Sequence, residues 1–381
     1  MHKTLFCFSL LLLCMTLHAQ YAVTFRIDNL PSYHISSDPV FITGSFNNWN
    51  PAQKEGQLQK DRNGKHFITF SVPQGRFEFK FTRGGWDKVE VDSIGKQIRN
   101  RELEVLGDTI IAVSIMNWSD HFTGKQKKST AGANVSILDT TFFIPQLNLT
   151  RRIWIYLPES YGSSRKKYPV MYMHDGQNVF EDSTSFAGEW GVDEALDTLG
   201  PKYKEVIVVA IDNGGDRRMN EYSPFDMERY GKGEGDLYVD FMVKTLMPYI
   251  NKKYRTVKKG KQTIIAGSSM GGLISLYAML KYPKKFGKAG VFSPSFWIAP
   301  DLEELIRSRS KELKGQIYFF AGQQEGNQMV SDMLTVIQQL NMHSKVKLTA
   351  VVRAEGKHDE ATWRAQFPSF YKWIIQNQAG K

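Results

Sequence analysis

The hydrophobic positions of the chain change their rhythm twice. Between residues 21 and 118, apolar and polar residues alternate with a period of two. They do so in short runs, 21–27, 40–44, 66–72, 76–82 and 109–115, with clusters of Asn, Gly and Pro between them. A period of two puts successive side chains on opposite faces of a strand, so this region predicts a small all-β sandwich of immunoglobulin-like build. Residues 119–134 carry Lys125, Lys127, Lys128, Ser129 and Gly132 without any apolar period, which predicts a linker. Beyond it, runs that are apolar throughout (170–173, 206–211, 263–266, 289–292, 317–321 and 347–352) alternate with helical stretches at 236–253, 273–282, 303–313 and 330–340. Strands buried on both faces and separated by helices predict an α/β domain with a mostly parallel sheet.

The first residues follow neither pattern. Met1-His2-Lys3 leads into an apolar run that ends at Leu17-His18-Ala19, with a small residue before Gln20. This reads as a secretory signal peptide, too short to span a bilayer, so no membrane span is expected in the mature chain. The expected organisation is a signal peptide over 1–19, a sandwich over 20–118, a linker over 119–134 and an α/β domain over 135–381. Cleavage after Ala19 would remove both cysteines, Cys7 and Cys14, leaving a secreted or periplasmic chain without disulfides or a thiol nucleophile.

Composition adds limits. With 41% hydrophobic, 23% charged and 13% aromatic residues, the 381-residue chain can bury real cores and is neither disordered nor collagen-like. The net charge of +10 is spread along the chain and coincides with no nucleic-acid motif, so it fits an anionic substrate better than nucleic acid. HExxH, cysteine clusters and complete EF-hand loops are absent, and neither a metal nor an organic cofactor is expected.

The chemistry-bearing motif is Gly267-Ser268-Ser269-Met270-Gly271, set between an apolar strand and a helical stretch. In a strand–turn–helix, G-x-S-x-G places the central serine at the apex of a sharp turn, where only glycine fits on either side. Ser269 is therefore the candidate nucleophile, and the Met270 N–H at the helix start is a candidate oxyanion donor. Two histidines follow. His343 lies in a polar helix-to-strand connection, whereas His358 follows the strand ending at Val352, on the sheet edge where ligands collect in open α/β folds. His358 is the candidate general base. The acid is expected just past a strand end, which favours Glu325 in Gly322-Gln323-Gln324-Glu325-Gly326, with Asp332 in reserve. Glu355 is too near His358 to orient it. After strand 170–173 comes His174-Asp175-Gly176-Gln177-Asn178, whose Gln177 N–H is the second oxyanion candidate and whose His174 reads as a loop-fixing residue.

These residues resemble the esterase D-type, enterochelin esterase-like branch of the α/β-hydrolases, which includes the acetylxylan and feruloyl esterases of carbohydrate esterase family 1. The matching stretches are 151–161 (RRIWIYLPESY), 172–180 (YMHDGQNVF), 217–224 (RRMNEYSP), 267–272, 293–297 (SPSFW) and 355–363 (EGKHDEATW). The resemblance implies an α/β-hydrolase fold, a Ser269–His358–Glu325 triad and an aromatic wall at Phe296 and Trp297. Residues 41–51 (FITGSFNNWNP) and 76–86 (RFEFKFTRGGW) separately resemble glycogen-binding-type modules of carbohydrate-binding family 48, which implies a sugar platform of Trp49, Lys80 and Trp86. Together the two resemblances imply a secreted serine carboxylic-ester hydrolase of acetyl- or feruloyl-xylan. The alternatives are a siderophore trilactone esterase, an acyltransferase, and a non-catalytic carbohydrate-binding protein on a hydrolase frame.

Overall fold

A computed structural model describes residues 20–376, apart from 48, 96, 99, 123–128, 186, 187 and 229. The expected signal peptide lies outside the described residues. The chain divides into two compact units, Met1–Gln126 and Lys127–Lys381.

The first unit is all β. Its strands are β1 (Gln20–Asn29), β2 (Phe41–Gly44), β3 (Gln59–Lys60), β4 (His66–Pro73), β5 (Gly75–Thr82), β6 (Glu90–Val91), β7 (Arg101–Val105), β8 (Thr109–Ser114) and β9 (Asn117–Trp118). They form a four-stranded sheet ordered β3-β4-β1-β8, a three-stranded sheet ordered β2-β5-β7 and a β6-β9 pair. β1 runs antiparallel to β4 and parallel to β8. The period of two sends Val23, Phe25 and Ile27 from one sheet into a core shared with Ile42, Phe79 and Phe81 from the other.

The second unit holds an eight-stranded sheet with an uninterrupted hydrophobic spine. It comprises β10 (Val135–Ile144), β11 (Leu149–Tyr156), β12 (Val170–Met173), β13 (Ile207–Ile211), β14 (Ile264–Ser268), β15 (Lys288–Phe292), β16 (Gln316–Gly322) and β17 (Lys347–Arg353), in the order β10-β11-β13-β12-β14-β15-β16-β17. β10 and β11 pair antiparallel, and from β13 to β17 all pairings are parallel. Helices are α1 (Val192–Leu199), α2 (Arg218–Tyr222), α3 (Gly235–Phe241), α4 (Met247–Lys253), α5 (Met270–Lys281), α6 (Leu302–Arg309), α7 (Met329–His343) and α8 (Glu360–Gln376). Both faces are buried along β12 to β16. Ile207, Val209 and Ile211 point to the core shared with α3 to α7, while Val208 and Ala210 point to the one shared with α1 and α8. This is the α/β-hydrolase architecture that the sequence motifs imply.

The helix expected over 236–253 is divided into α3, a π-helical turn (Met242–Leu246) and α4. His343 ends α7 instead of lying in a connection. Part of the stretch expected as a linker is tied down: Ser129 and Thr130 donate to Glu181, Gly132 N to Asp193 Oδ2 at 2.7 Å, and Asn134 to Asp197 at 3.0 Å. Short polar side chains and free backbone amides suit it to a row of carboxylates.

Candidate active site

Ser269 sits between β14 and α5 at φ 59°, ψ −123°, a backbone conformation costly for a residue with a Cβ. Its own amide donates to Phe292 O at 2.9 Å, and Ser295 N donates to Ser269 O at 3.1 Å, so the end of β15 and the loop after it hold the turn. A Cβ on Gly267 would come within 2.9 Å of the Gly271 backbone, which is why this position excludes side chains. The helix that starts at Met270 directs its first free N–H groups toward the serine end.

The loops after β16 and β17 bring Glu325 and His358 together. His358 Nδ1 lies 2.8 Å from Glu325 Oε2. Glu325 is fully buried and its other oxygen accepts from Ser293 Oγ at 2.8 Å and from Gly322 N. Ser293 Oγ in turn accepts from Trp363 Nε1 at 2.8 Å, and the Trp363 ring meets His358 edge-on with centroids 5.2 Å apart. A buried carboxylate with donors on both oxygens is held in one orientation and leaves Nδ1–H of the imidazole facing it, with Nε2 as the basic nitrogen. Ser269 Oγ hydrogen-bonds Ser295 Oγ at 3.1 Å, and among the described residues no hydrogen bond joins it to the imidazole. In apo enzymes catalytic contacts are commonly long and close up on substrate binding. Asp332 lies in the first turn of α7 and Glu355 in an exposed turn, away from this pair.

The loop after β12 is braced independently. Asp175 adopts φ 55° and its carboxylate takes a two-pronged ion pair from Arg218 (2.6 and 3.0 Å) plus Asn213 Nδ2 at 2.7 Å. Burial alone would raise the Asp175 carboxyl, but Arg218 and Asn213 hold it below the usual carboxylate range. Gly176 approaches β13 so closely that a Cβ would lie 2.8 Å from Ile211 C. Gln177 Oε1 accepts from Asn213 N at 3.1 Å, which pins the residue whose N–H is the oxyanion candidate. His174 is buried behind this loop with Nδ1 on Tyr238 OH at 3.0 Å, and burial lowers its pKa to about 4.

Two sequence expectations need correction. Phe296 and Trp297 part company: Phe296 packs into the main core, while Trp297 stands 57% exposed. In a tight 3-10 turn consecutive side chains diverge, so of the two only Trp297 is exposed. In the first unit, Trp49 and Trp86 do lie together, with ring centroids 6.3 Å apart and planes inclined by 36°. Lys80 is not on that surface. Residues 79–82 of β5 are buried on both faces, and the Lys80 ammonium donates inward to Ile98 O at 2.5 Å. Ser293, Ser295 and Trp363 were missed by motif reading. Ser293 and Ser295 immediately follow a strand end, like the other site loops, and that placement was the available signal. Among the described residues no cluster of His, Cys, Asp and Glu suited to a metal ion occurs.

Comparison with known proteins decides the family. Residues 144–374 match the esterase family model described as "Putative esterase". The chain belongs to this family. Ester hydrolysis is accordingly its reaction class. Over 239 residues the chain is 26% identical to the uncharacterized protein YbbA of Bacillus subtilis, covering 59% of this chain and 92% of that protein. A stretch of 101 residues (26% of this chain) is 37% identical to an alpha-amylase of Niallia circulans, spanning 8% of that enzyme. The endo-1,4-beta-xylanase/feruloyl esterase of Xylanibacter ruminicola is 23% identical over 236 residues, 60% of this chain and 30% of that one. Among solved structures, the enterobactin esterase of Shigella flexneri aligns with a TM-score of 0.53 at 16% identity, over 93% of this chain and 92% of that one. No helix among the described residues is long and apolar enough to cross a membrane.

Proposed function

We propose that the family member described here is an exported serine esterase of esterified plant polysaccharide, with Ser269 as nucleophile, His358 as general base and Glu325 as the acid that orients it. The observation that carries this reading is the buried, fully bonded Glu325 carboxylate at 2.8 Å from the imidazole, on loops after β16 and β17 of the sheet whose β14 ends in the strained Ser269 turn. Ser269 Oγ attacks the ester carbonyl carbon while His358 Nε2 takes its proton. The tetrahedral oxyanion is held by the Met270 and Gln177 amides, and collapse expels the alcohol, which receives the proton from His358. Water, deprotonated by the same imidazole, then releases the acid and restores Ser269.

The polysaccharide reading is supported by the likeness to the xylanase/feruloyl esterase, by the amylase-like stretch and by the Trp49–Trp86 pair, whose faces suit sugar C–H surfaces. Export is supported by the signal-like residues 1–19. A second reading, hydrolysis of a catecholate siderophore lactone, is supported by the fold likeness to the enterobactin esterase across 93% of the chain.

The test is turnover of acetylxylan, feruloylated arabinoxylan and a ferric trilactone siderophore, alongside a small aryl ester. Release of acetate or ferulate is expected, with Ser269→Ala slower by about 10⁴-fold or more on every ester. Turnover of the siderophore alone would overturn the polysaccharide reading, and an unimpaired Ser269→Ala enzyme would overturn the mechanism.

A further inference from the structure

Two residues beyond His358, Glu360 opens α8 with its carboxyl turned into the protein. The residue is 8% exposed, and Asn178 Nδ2 donates to its Oε1 at 3.1 Å. Asn178 closes the Gly176–Asn178 turn that carries Gln177, and its carbonyl accepts from Trp190 N at 2.8 Å. The Asn178–Glu360 bond thus joins the segment bearing an oxyanion candidate to the segment bearing the base, across 182 residues of sequence. The mechanism above makes no use of this buried acid.

The charges around it are already committed. Asp175, from the β12 side, is paired with Arg218 of α2. Arg364, one turn along α8, is taken up by Glu189 and Glu194. His358, on the adjoining loop, faces Glu325. Burial pushes the Glu360 carboxyl up to about 7; its own backbone amide opposes this, the Asp175 charge adds to it, and His358 and Arg218 pull weakly the other way.

We propose that Glu360 is a positioning residue whose buried carboxyl, accepting from Asn178, latches the Gly176–Asn178 turn to the His358 loop and so sets the oxyanion donor against the base. The inference rests on the serine-esterase reading. Below its titration the acid bridges the two loops without net charge. Above it the Asn178 bond persists, but a second anion lies next to Asp175 on the side of the site that must hold the oxyanion, which opposes transition-state stabilisation.

The experiment measures kcat and KM of the full chain for a small aryl ester from pH 5.5 to 9, for wild type, Glu360→Gln, Glu360→Ala and Ser269→Ala. Wild-type kcat is expected to fall about threefold or more between pH 6.5 and 8.5, whereas Glu360→Gln, which keeps a neutral acceptor for Asn178, holds its rate across that range. Glu360→Ala is expected to lose about tenfold in kcat at every pH with KM nearly unchanged. A Glu360→Gln profile that falls as wild type does, or a wild-type profile that does not fall, overturns the proposal. If Glu360→Ala does not fold, the wild-type and Glu360→Gln profiles decide alone, since a merely structural side chain would not move the pH dependence. A Ser269→Ala enzyme with wild-type turnover overturns the serine reading and this inference with it. An inactive Ser269→Ala beside an unaltered Glu360→Gln profile overturns only the role of Glu360.

Discussion

The two units bury charge on different terms. In the sandwich, Glu90 is 1% exposed and accepts from both Arg101 nitrogens and from Phe81 N, with Lys80 close enough to feel its field. There the bonds of the carboxylate end on backbone groups and on a guanidinium, which does not titrate. In the hydrolase unit, Glu325 is equally buried, but its chain of bonds ends on an imidazole whose side chain is 38% exposed. Burial that closes on itself reads as architecture, whereas burial that opens onto an exposed titratable group reads as chemistry. Two buried lysines differ in the charge beside them. Both donate to a backbone carbonyl and burial lowers the pKa of both, but at Lys80 the Glu90 carboxylate opposes the shift, while Lys288 is lowered to about 8, by burial first and by Lys204 second.

The largest expected effect tests this contrast directly. Glu325→Ala should lower kcat about 10³–10⁴-fold on a small ester, because the imidazole loses the group that fixes its tautomer and supports its charge. Glu90→Ala should leave that kcat within about twofold of wild type while costing the sandwich about 1–3 kcal/mol, since half-buried Arg101 and buried Lys80 would lose their anion and keep only backbone acceptors. Steady-state kinetics and chemical denaturation, run on both variants, give the four readings. Equal losses of kcat in the two variants would break the contrast.

Next in size are the lysines. Between pH 8 and the ordinary lysine range, the unfolded chain binds a proton at position 288 that the folded chain does not. Stability therefore rises with pH across that window, by about 2–3 kcal/mol for this residue. Lys288→Met should abolish the rise and make the hydrolase unit more stable than wild type at pH 7, seen as an altered pH dependence of the unfolding midpoint. Lys80→Met should instead destabilise the sandwich, by about 1–2 kcal/mol, because it removes a satisfied donor next to Glu90. A stabilised Lys80→Met variant would place Lys80 with Lys288.

Much of this architecture is legible along the chain, for a physical reason. Strands covered on both faces must be largely apolar, and β12 to β16 are, with Lys288 and Gln316 at the starts of β15 and β16 as exceptions, so the ends of β14 and β16 locate the loops of Ser269 and Glu325. The antiparallel β10–β11 hairpin escaped notice because register shifts at 137–139 and 139–142 break its alternation. Helix α8 escaped it because aromatic residues and Pro368 blur its 3.6-residue period. What no local pattern encodes is which hydroxyl meets a distant carboxylate. Ser293 and Trp363 are 70 residues apart and touch only through the fold. Lys80 shows the reverse failure: a polar residue in a strand suggests an exposed face, but β5 is covered on both sides at that point.

The smallest expected effect concerns Trp49, which like Ser269 holds a positive φ, here 58°. At Ser269 the strained backbone surrounds a reacting atom. At Trp49 it turns an aromatic face toward Trp86. Trp49→Gly relieves about 1 kcal/mol of backbone strain, gives some of it back through the freer unfolded chain, and loses an aromatic contact of about 0.5–1 kcal/mol. These contributions nearly cancel, so the sandwich should unfold within about 0.5 kcal/mol of wild type. On the proposed carbohydrate-binding reading, the strained backbone serves what the Trp49 indole presents. Retention on insoluble xylan or starch should therefore fall in Trp49→Gly while small-ester turnover stays constant. A variant that loses several kcal/mol and retains its binding would make the tryptophan pair part of the sandwich core instead.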